Sequence, residues 1–363
     1  MPPIRVHMTG SEWFSSLPGG LNRYFTDLFT ALRRRDNIEL SAAAFGEPSD
    51  GGRSWGPTGG STRSRILTAF NDRSGLRRPD ILDRHFCLYG PSASGWSTRS
   101  RLVVHFHGPW AAESRLAGAG ALRSHAKYVV ERLRYAGAER LIVLSDRFRD
   151  VLIEDYRIPA HRIEVIAPGV DLDRFGILPR LDAPTGRRTV LCVRRLEHRM
   201  GIHRLIESWQ TVVSAHPDAC LMIVGTGTAE SDLRAQVAAA RLDDSIQFTG
   251  RVDDLTLTQL YTLADLTVVP SVALEGFGLI ALESLATGRP AVVTDCGGLP
   301  DAVRDLDASL IVPADNAEAL AARLISALEG VLPTPQQCRR HAETFSWSTA
   351  AQRHHAVYSE LSA

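Results

Sequence analysis

The sequence predicts an α/β protein made of two doubly wound, Rossmann-like domains, and three observations carry that reading. At 363 residues with 44% hydrophobic side chains, the chain is long enough to bury two ordinary cores. Short apolar or β-branched runs that end at a glycine turn and lead into helical spacing recur along it. They are residues 4–8 before Gly19 and Gly20, 190–193 before Gly201, 220–224 before Gly225 and Gly227, and 266–269 before Gly276 and Gly278. Between the second and first of these groups, Pro168 and Gly169 mark a linker with hinge character.

Composition narrows the function. Lysine plus arginine and aspartate plus glutamate balance at 41 each, so net charge announces neither a nucleic acid nor an acidic membrane as partner. The five cysteines, Cys87, Cys192, Cys220, Cys296 and Cys338, show no CxxC spacing. They read as buried free thiols in a reducing compartment, and no metal site is expected. Met1-Pro2-Pro3-Ile4-Arg5 runs straight into a strand, with no signal peptide, and no apolar run approaches the roughly 18–20 residues of a membrane span. A cytoplasmic protein is expected. Lys127 is the one lysine, so arginine must answer any phosphate.

The elements follow in order. Residues 4–8 are a first strand, and Gly19 and Gly20 open a helix through Leu28 and Leu32 to Arg33, Arg34 and Arg35, a basic end that answers the helix dipole. Strand, paired glycines and helix make a cradle where backbone can approach an anion. Residues 47–65 and 90–100 turn to Gly, Ser, Thr, Pro and Arg and read as loops. Residues 102–106 are a buried strand ending at His107, Gly108 and Pro109. A ring nitrogen there points into the crevice of a doubly wound sheet, and His105 shares the strand parity of His107. His105 is a rival for the same role or a core histidine; Trp110 is a substrate wall or packing.

Residues 113–140 read as helical and mixed in charge, a solvated face rather than a membrane-binding one. Residues 140–145 are another strand. Beyond the linker, 190–193 lead into Arg194, Arg195 and Leu196, and then Arg199, Met200 and Gly201. Residues 216–227 are a turn, a strand and a Gly-x-Gly loop, and 246–252 a strand that ends at Arg251 and Val252. Tyr261 reads as packing. After a break at Pro333 and Pro335, an amphipathic helix closes the chain from 345. The expected domains are 1–170 with the closing helix 345–363, and 171–344.

The chain is organised around residues 270–283, the end of a strand, a glycine loop and the start of a helix. Gly276 and Gly278 uncover backbone N–H groups where the helix dipole is positive, which suits a sugar hydroxyl or an anion. Glu275 stands at the mouth of the loop and Glu283 lies eight residues on, about 12 Å along a helix. Glycosidase carboxylates stand about 5–9.5 Å apart, so this pair instead fits two ends of one elongated ligand, such as a nucleotide sugar. The competing view makes the two glutamates a dipole-matching charge and a solvated face residue; the glycine loop favours the ligand.

Glu275, Gly276, Phe277, Gly278 and Glu283, with the downstream segment 286–300, resemble the donor motif of the family-4 retaining glycosyltransferases. The resemblance covers nearly the whole chain and implies the GT-B fold, two Rossmann-like domains facing a central cleft with the last helix crossing back to the first. It implies that Glu275 and the amides of Phe277, Gly278 and Leu279 hold the donor sugar and Glu283 the ribose. His107 would lie at the donor sugar, Gly19 and Gly20 at the diphosphate, and Gly225, Gly227, Arg251 and Val252 at the nucleotide. The acceptor would meet the first domain, with His105 and Trp110 as candidates and the 47–65 and 90–100 loops framing it.

The family's Gly-Arg-Leu, three residues, Lys-Gly becomes Arg194-Arg195-Leu196 and Met200-Gly201 here. A thioether cannot neutralise a phosphate. Arg199 is the favoured replacement beside Arg195; Arg204 or a weakened site are the others. The expected reaction is metal-independent, retaining transfer of a hexose or N-acetylhexosamine from a nucleotide diphosphate sugar, UDP preferred to GDP, to a hydroxyl of a soluble acceptor. No cofactor is expected beyond that co-substrate. Weak sugar-nucleotide binding without turnover and sugar-nucleotide epimerisation are the rivals. A dehydrogenase would need a third glycine, which Gly225-Thr226-Gly227 lacks.

Overall fold

The computed structural model describes residues 2–72, 79–91, 100–116, 118–177 and 187–362. The chain divides into two compact units, residues 1–169 with 347–363, and residues 170–346.

The N-terminal unit carries a seven-stranded sheet of β1 (Ile4–Glu12), β2 (Ile38–Phe45), β3 (Arg53–Ser54), β4 (Ile81–Arg84), β5 (Arg101–Phe106), β6 (Arg140–Val143) and β7 (Ile163–Val165). Its order is β3-β2-β1-β4-β5-β6-β7 and every pairing is parallel. The C-terminal unit carries β8 (Arg188–Val193), β9 (Ala219–Val224), β10 (Ile246–Gly250), β11 (Leu266–Val269), β12 (Ala291–Thr294) and β13 (Ile311–Val312), in the order β10-β9-β8-β11-β12-β13, again all parallel. Parallel strands are covered on both faces, and β4, β11 and β12 are buried throughout.

Each sheet reverses its order once, between β1 and β4 and between β8 and β11. Ligands of doubly wound sheets bind beyond the carboxyl ends of the strands at such a reversal. In the C-terminal unit those ends are Arg194 and Pro270, which puts the two glycine loops of the sequence reading side by side.

Several elements differ from expectation. Residues 113–140 form two helices, Trp110–Leu116 and Ala121–Ala136, because the backbone turns at Gly118 (φ 82°) and restarts after Gly120; Arg140 already belongs to β6. The second helix leaves Leu122, Val129, Val130 and Leu133 exposed among its arginines, so its outer face is not purely polar. A helix Thr62–Phe70 starts inside the 47–65 stretch, with the Ser61 hydroxyl accepting from the Ser64 N–H at 3.2 Å. Of the 90–100 stretch, residues 92–99 lie outside those described.

Pro335 does not break the chain before the last helix but opens one, Pro335–Glu343, at a position that needs no N–H; Thr334 and Gln337 cap it reciprocally. The closing helix Trp347–Ser362 packs in the N-terminal unit. There the Tyr358 hydroxyl donates to Asp83, and the Tyr24 hydroxyl meets His354 at 3.3 Å. Among the described residues no helix is long and apolar enough to cross a membrane.

Asp83 is fully buried at the end of β4, so losing a donor leaves a carboxylate partly unsatisfied. Tyr358→Phe is expected to destabilise the N-terminal unit by about 1–3 kcal/mol, read as a lower urea midpoint.

Candidate active site

Two loops at the β8/β11 reversal interlock. The first runs from Arg194 to Gly201, and the second from Ser271 to Gly278, where the helix Leu279–Ala286 begins. Gly201 has φ 71°, and a Cβ there would stand 1.8 Å from the Pro270 carbonyl oxygen, so the loops touch where only glycine fits. The Arg199 carbonyl accepts from the N–H groups of Val272 (3.0 Å) and Ala273 (3.4 Å). The Arg199 guanidinium donates back to the Leu274 carbonyl at 3.0 Å, and Leu274 sits at φ 54°, a left-handed conformation the clamp holds in place.

Glu275 rides on this seat. Its carbonyl accepts from the Gly298 N–H at 3.0 Å, and a Cβ on Gly297 (φ 56°) would fall 1.9 Å from the same oxygen. Its side chain is 14% exposed and forms an ion pair with Arg194, which is 7% exposed; the Ser271 hydroxyl donates to its Oε2 at 3.1 Å. Burial pushes the Glu275 carboxyl up, Arg194 pulls it down, and the net is below the ordinary carboxylate value.

Glu283 is buried on the Leu279–Ala286 helix, and Tyr261 donates to its Oε2 at 3.0 Å. The helix starts four residues after Glu275, so the helical rise does not measure the distance between the two carboxylates as the sequence reading assumed. Tyr261 is a partner of Glu283 rather than packing alone. Phe277 is buried against Phe345, with centroids 5.6 Å apart.

The other nucleotide-side candidates surround the first loop. Gly225 donates to the Gly250 carbonyl at 2.8 Å, Gly227 lies on the backbone of Leu196, and Arg251 and Val252 follow β10. Arg195 is exposed, and Met200 is 4% exposed, a core side chain.

In the N-terminal unit, Gly19 and Gly20 have nothing within 4 Å of an added Cβ, so protein packing does not require glycine there. His105 is buried, with Nε2 3.0 Å from Asp83, and His85 lies 3.5 Å from the same carboxylate. Burial pushes His105 down to about 4 and His354 to about 3, and holds His107 well below the ordinary histidine value. His85, His105 and His107 offer nitrogens within 4.8 Å of one another. His85 and His105 stack, however, with centroids 3.7 Å apart and planes 18° apart, so their in-plane lone pairs run alongside rather than converge on an ion. Trp110 packs under Lys127, whose ammonium stands 4.4 Å from the ring centroid, and the Trp110 backbone N–H donates to the buried Glu131 at 2.8 Å.

Sequence reasoning missed Arg194, Ser271, Asp83, His85 and Glu131. Arg194 had a signal, a second arginine where an apolar strand ends. The others had none: Asp83 and Glu131 meet partners far along the chain, and Ser271 and His85 gain theirs only through the fold of their loops.

Residues 174–345 match the family described as Glycosyl transferases group 1, and residues 18–174 the family described as Glycosyltransferase Family 4. A D-inositol 3-phosphate glycosyltransferase of Corynebacterium jeikeium is 30% identical over 313 residues, 78% of this chain and 72% of that protein. A glycogen synthase of Mycobacterium tuberculosis is 28% identical over 396 residues, 98% of this chain and 94% of that protein. Among solved structures, a sucrose-phosphate synthase from Thermosynechococcus elongatus aligns with TM-score 0.80 at 21% identity, over 99% of both chains. Anabaena Alr3699/HepE in complex with UDP and glucose aligns with TM-score 0.76 at 18% identity, over 98% of this chain and all of that one.

Gly297→Ala puts an alanine in the left-handed conformation and its Cβ against the Glu275 carbonyl, which must also move. A loss of about 1–2 kcal/mol from the backbone alone is expected, seen as a lower melting temperature. The depressed histidines set a pH dependence. Their neutral forms are favoured on folding, so the stability they contribute is present above about pH 6.5 and is lost as pH falls toward 4. The melting temperature should fall across that window, and His354→Gln should flatten the fall.

Proposed function

The chain belongs to the family-4 glycosyltransferases of GT-B fold, and from that membership we propose that it moves a hexose or N-acetylhexosamine from a nucleotide diphosphate sugar, preferably a UDP-sugar, to a hydroxyl of a small-molecule acceptor. The observation that carries the reading is the Glu275 seat: a charged carboxylate fixed beside the amides that open the Leu279–Ala286 helix. Glu275 and the amides of Phe277, Gly278 and Leu279 take the sugar hydroxyls, and Glu283, oriented by Tyr261, takes the ribose. Arg195 and Arg199 stabilise the diphosphate as it leaves. Gly225, Gly227, Arg251 and Val252 contact the nucleotide.

From the N-terminal unit we assign His107, Gly19 and Gly20 to the donor and Trp110 to the acceptor side; His105, expected as an acceptor-side candidate, is instead a core histidine, fully buried against Asp83. Transfer retains configuration because the departing phosphate oxygen takes the acceptor proton on the face it leaves. Guanidinium groups supply the charge that a metal would otherwise bring. The five free cysteines are all buried, which fits a reducing cytoplasm. A second reading, sugar-nucleotide binding with weak turnover, is favoured by Met200, an inward thioether where a cation is expected.

Titration with UDP, GDP and their hexose conjugates tests the reading by melting temperature. A donor at about 100 times its Kd adds about 2.7 kcal/mol, a rise of roughly 5–10 °C. The expected outcome is that UDP-sugars raise the melting temperature and Arg195→Ala abolishes the rise. Acceptor-dependent UDP release, unchanged by EDTA, with the product's anomeric configuration matching the donor's, is expected next. Binding without UDP release would leave the second reading, and donor conversion without acceptor would mark an epimerase.

A further inference from the structure

Arg194 stands where the family has glycine, so its side chain is an addition to the site. Its backbone is fixed, because its N–H donates to the Val224 carbonyl at 2.9 Å, directly beyond the end of β8. The guanidinium is almost fully buried, and its Nη2 donates both to Ser271 Oγ and to Glu275 Oε2. Ser271 Oγ in turn donates to the same Oε2. Two donors therefore converge on one carboxylate oxygen, and Oε1 has no hydrogen-bond partner among the described residues.

We propose that Arg194 is a positioning residue for Glu275: it grips Oε2, fixes the carboxylate on its loop, and leaves Oε1 turned out for the hydroxyls of the donor sugar. The proposal rests on reading the Glu275 loop as the sugar subsite. The physical case is that an ion pair this buried is costly to break from one side. Removing the guanidinium would strand a carboxylate in a dry loop, where it would take up a proton and cease to be a strong acceptor. Ser271 cannot compensate, since a neutral hydroxyl supplies no counter-charge, and Arg199, whose charge also lowers this carboxyl, acts on it more weakly than Arg194 and without a hydrogen bond.

The test reads Glu275 directly. In protein carrying 13C at the glutamate carboxyls, the Glu275 signal is identified by its loss in Glu275→Gln and followed through a pH titration. The native midpoint is expected below the ordinary glutamate value. Arg194→Gly should raise it by a unit or more, with Arg194→Lys restoring most of the shift. Arg194→Gln, which keeps most of the side chain's bulk without its charge, is run beside them and carries the same expectation as Arg194→Gly. Equal midpoints in the native protein and either neutral variant overturn the proposal.

Donor kinetics form the second arm. The acid limb of kcat/KM for UDP-hexose should move up with the carboxyl midpoint, by tenfold in proton concentration for each unit, while kcat/KM well above the limb changes less. A carboxyl midpoint that moves while the acid limb stays put overturns the functional half of the proposal. If the native protein neither binds nor turns over any nucleotide sugar, the proposed function fails, and the carboxyl titration still decides whether Arg194 governs Glu275.

Discussion

A carboxylate taken out of water needs a counter-charge and a rigid seat, and the C-terminal unit is arranged to give Glu275 both. The counter-charge comes from the end of β8 and the carboxylate from the loop after β11, neighbouring parallel strands at the reversal of the sheet. Neighbouring strands would still leave the two loops too far apart if side chains intervened. Gly201 against Pro270 removes such a side chain, the Arg199 clamp on Leu274 closes the remaining gap, and Gly297 after β12 lets a third loop meet the Glu275 carbonyl. Each contact is modest, about 1 kcal/mol for an ordinary hydrogen bond. Together they over-determine the loop, which is how a strained residue such as Leu274 persists.

The two glutamates of the motif are treated alike. Glu275 receives Arg194 and Ser271 at Oε2, and Glu283 receives Tyr261 at Oε2. The protein thus orients each carboxylate through a side chain from another segment rather than leaving it to rotate on its own loop or helix. The N-terminal unit uses its buried carboxylate differently. Asp83 is bracketed by Tyr358, His105 and His85, and the burial that depresses His105 and His107 keeps these imidazoles neutral near pH 7. Neutral imidazoles can donate and accept hydrogen bonds but bring no net charge, and the Tyr358 hydroxyl ties the closing helix to Asp83 on the sheet.

Much of this was legible in the sequence because it rests on local grammar. The strand, glycine and helix units led to both parallel sheets, and the Glu275 to Glu283 spacing with its glycines singled out the loop in which Glu275 meets Arg194. Local grammar also failed locally. Gly118 and Gly120 split what charge patterning read as one helix, and Pro335 opened a helix because it sits just inside a capping box rather than in a turn. What the sequence could not give was pairing at a distance. Arg194 and Glu275 are 81 residues apart and Tyr358 and Asp83 are 275 apart, and only the sheet order brings them together. Arg199 shows the same limit: its position suggested a phosphate ligand, and the structure gives it a second task on Leu274.

The departure at Met200 looks different once these partners are known. Met200 is a core side chain, so the position offers no ligand at the surface of the loop. Arg194 was added within the same loop, and it answers Glu275. Three arginines, 194, 195 and 199, stand against two glutamates, 197 and 275, in the interlocked loops, which leaves the loops net positive by one. Arg194 holds Glu275 and Ser271 through one nitrogen while Arg199 closes on Leu274, so the Glu275 seat is fixed from the first loop at two points at once.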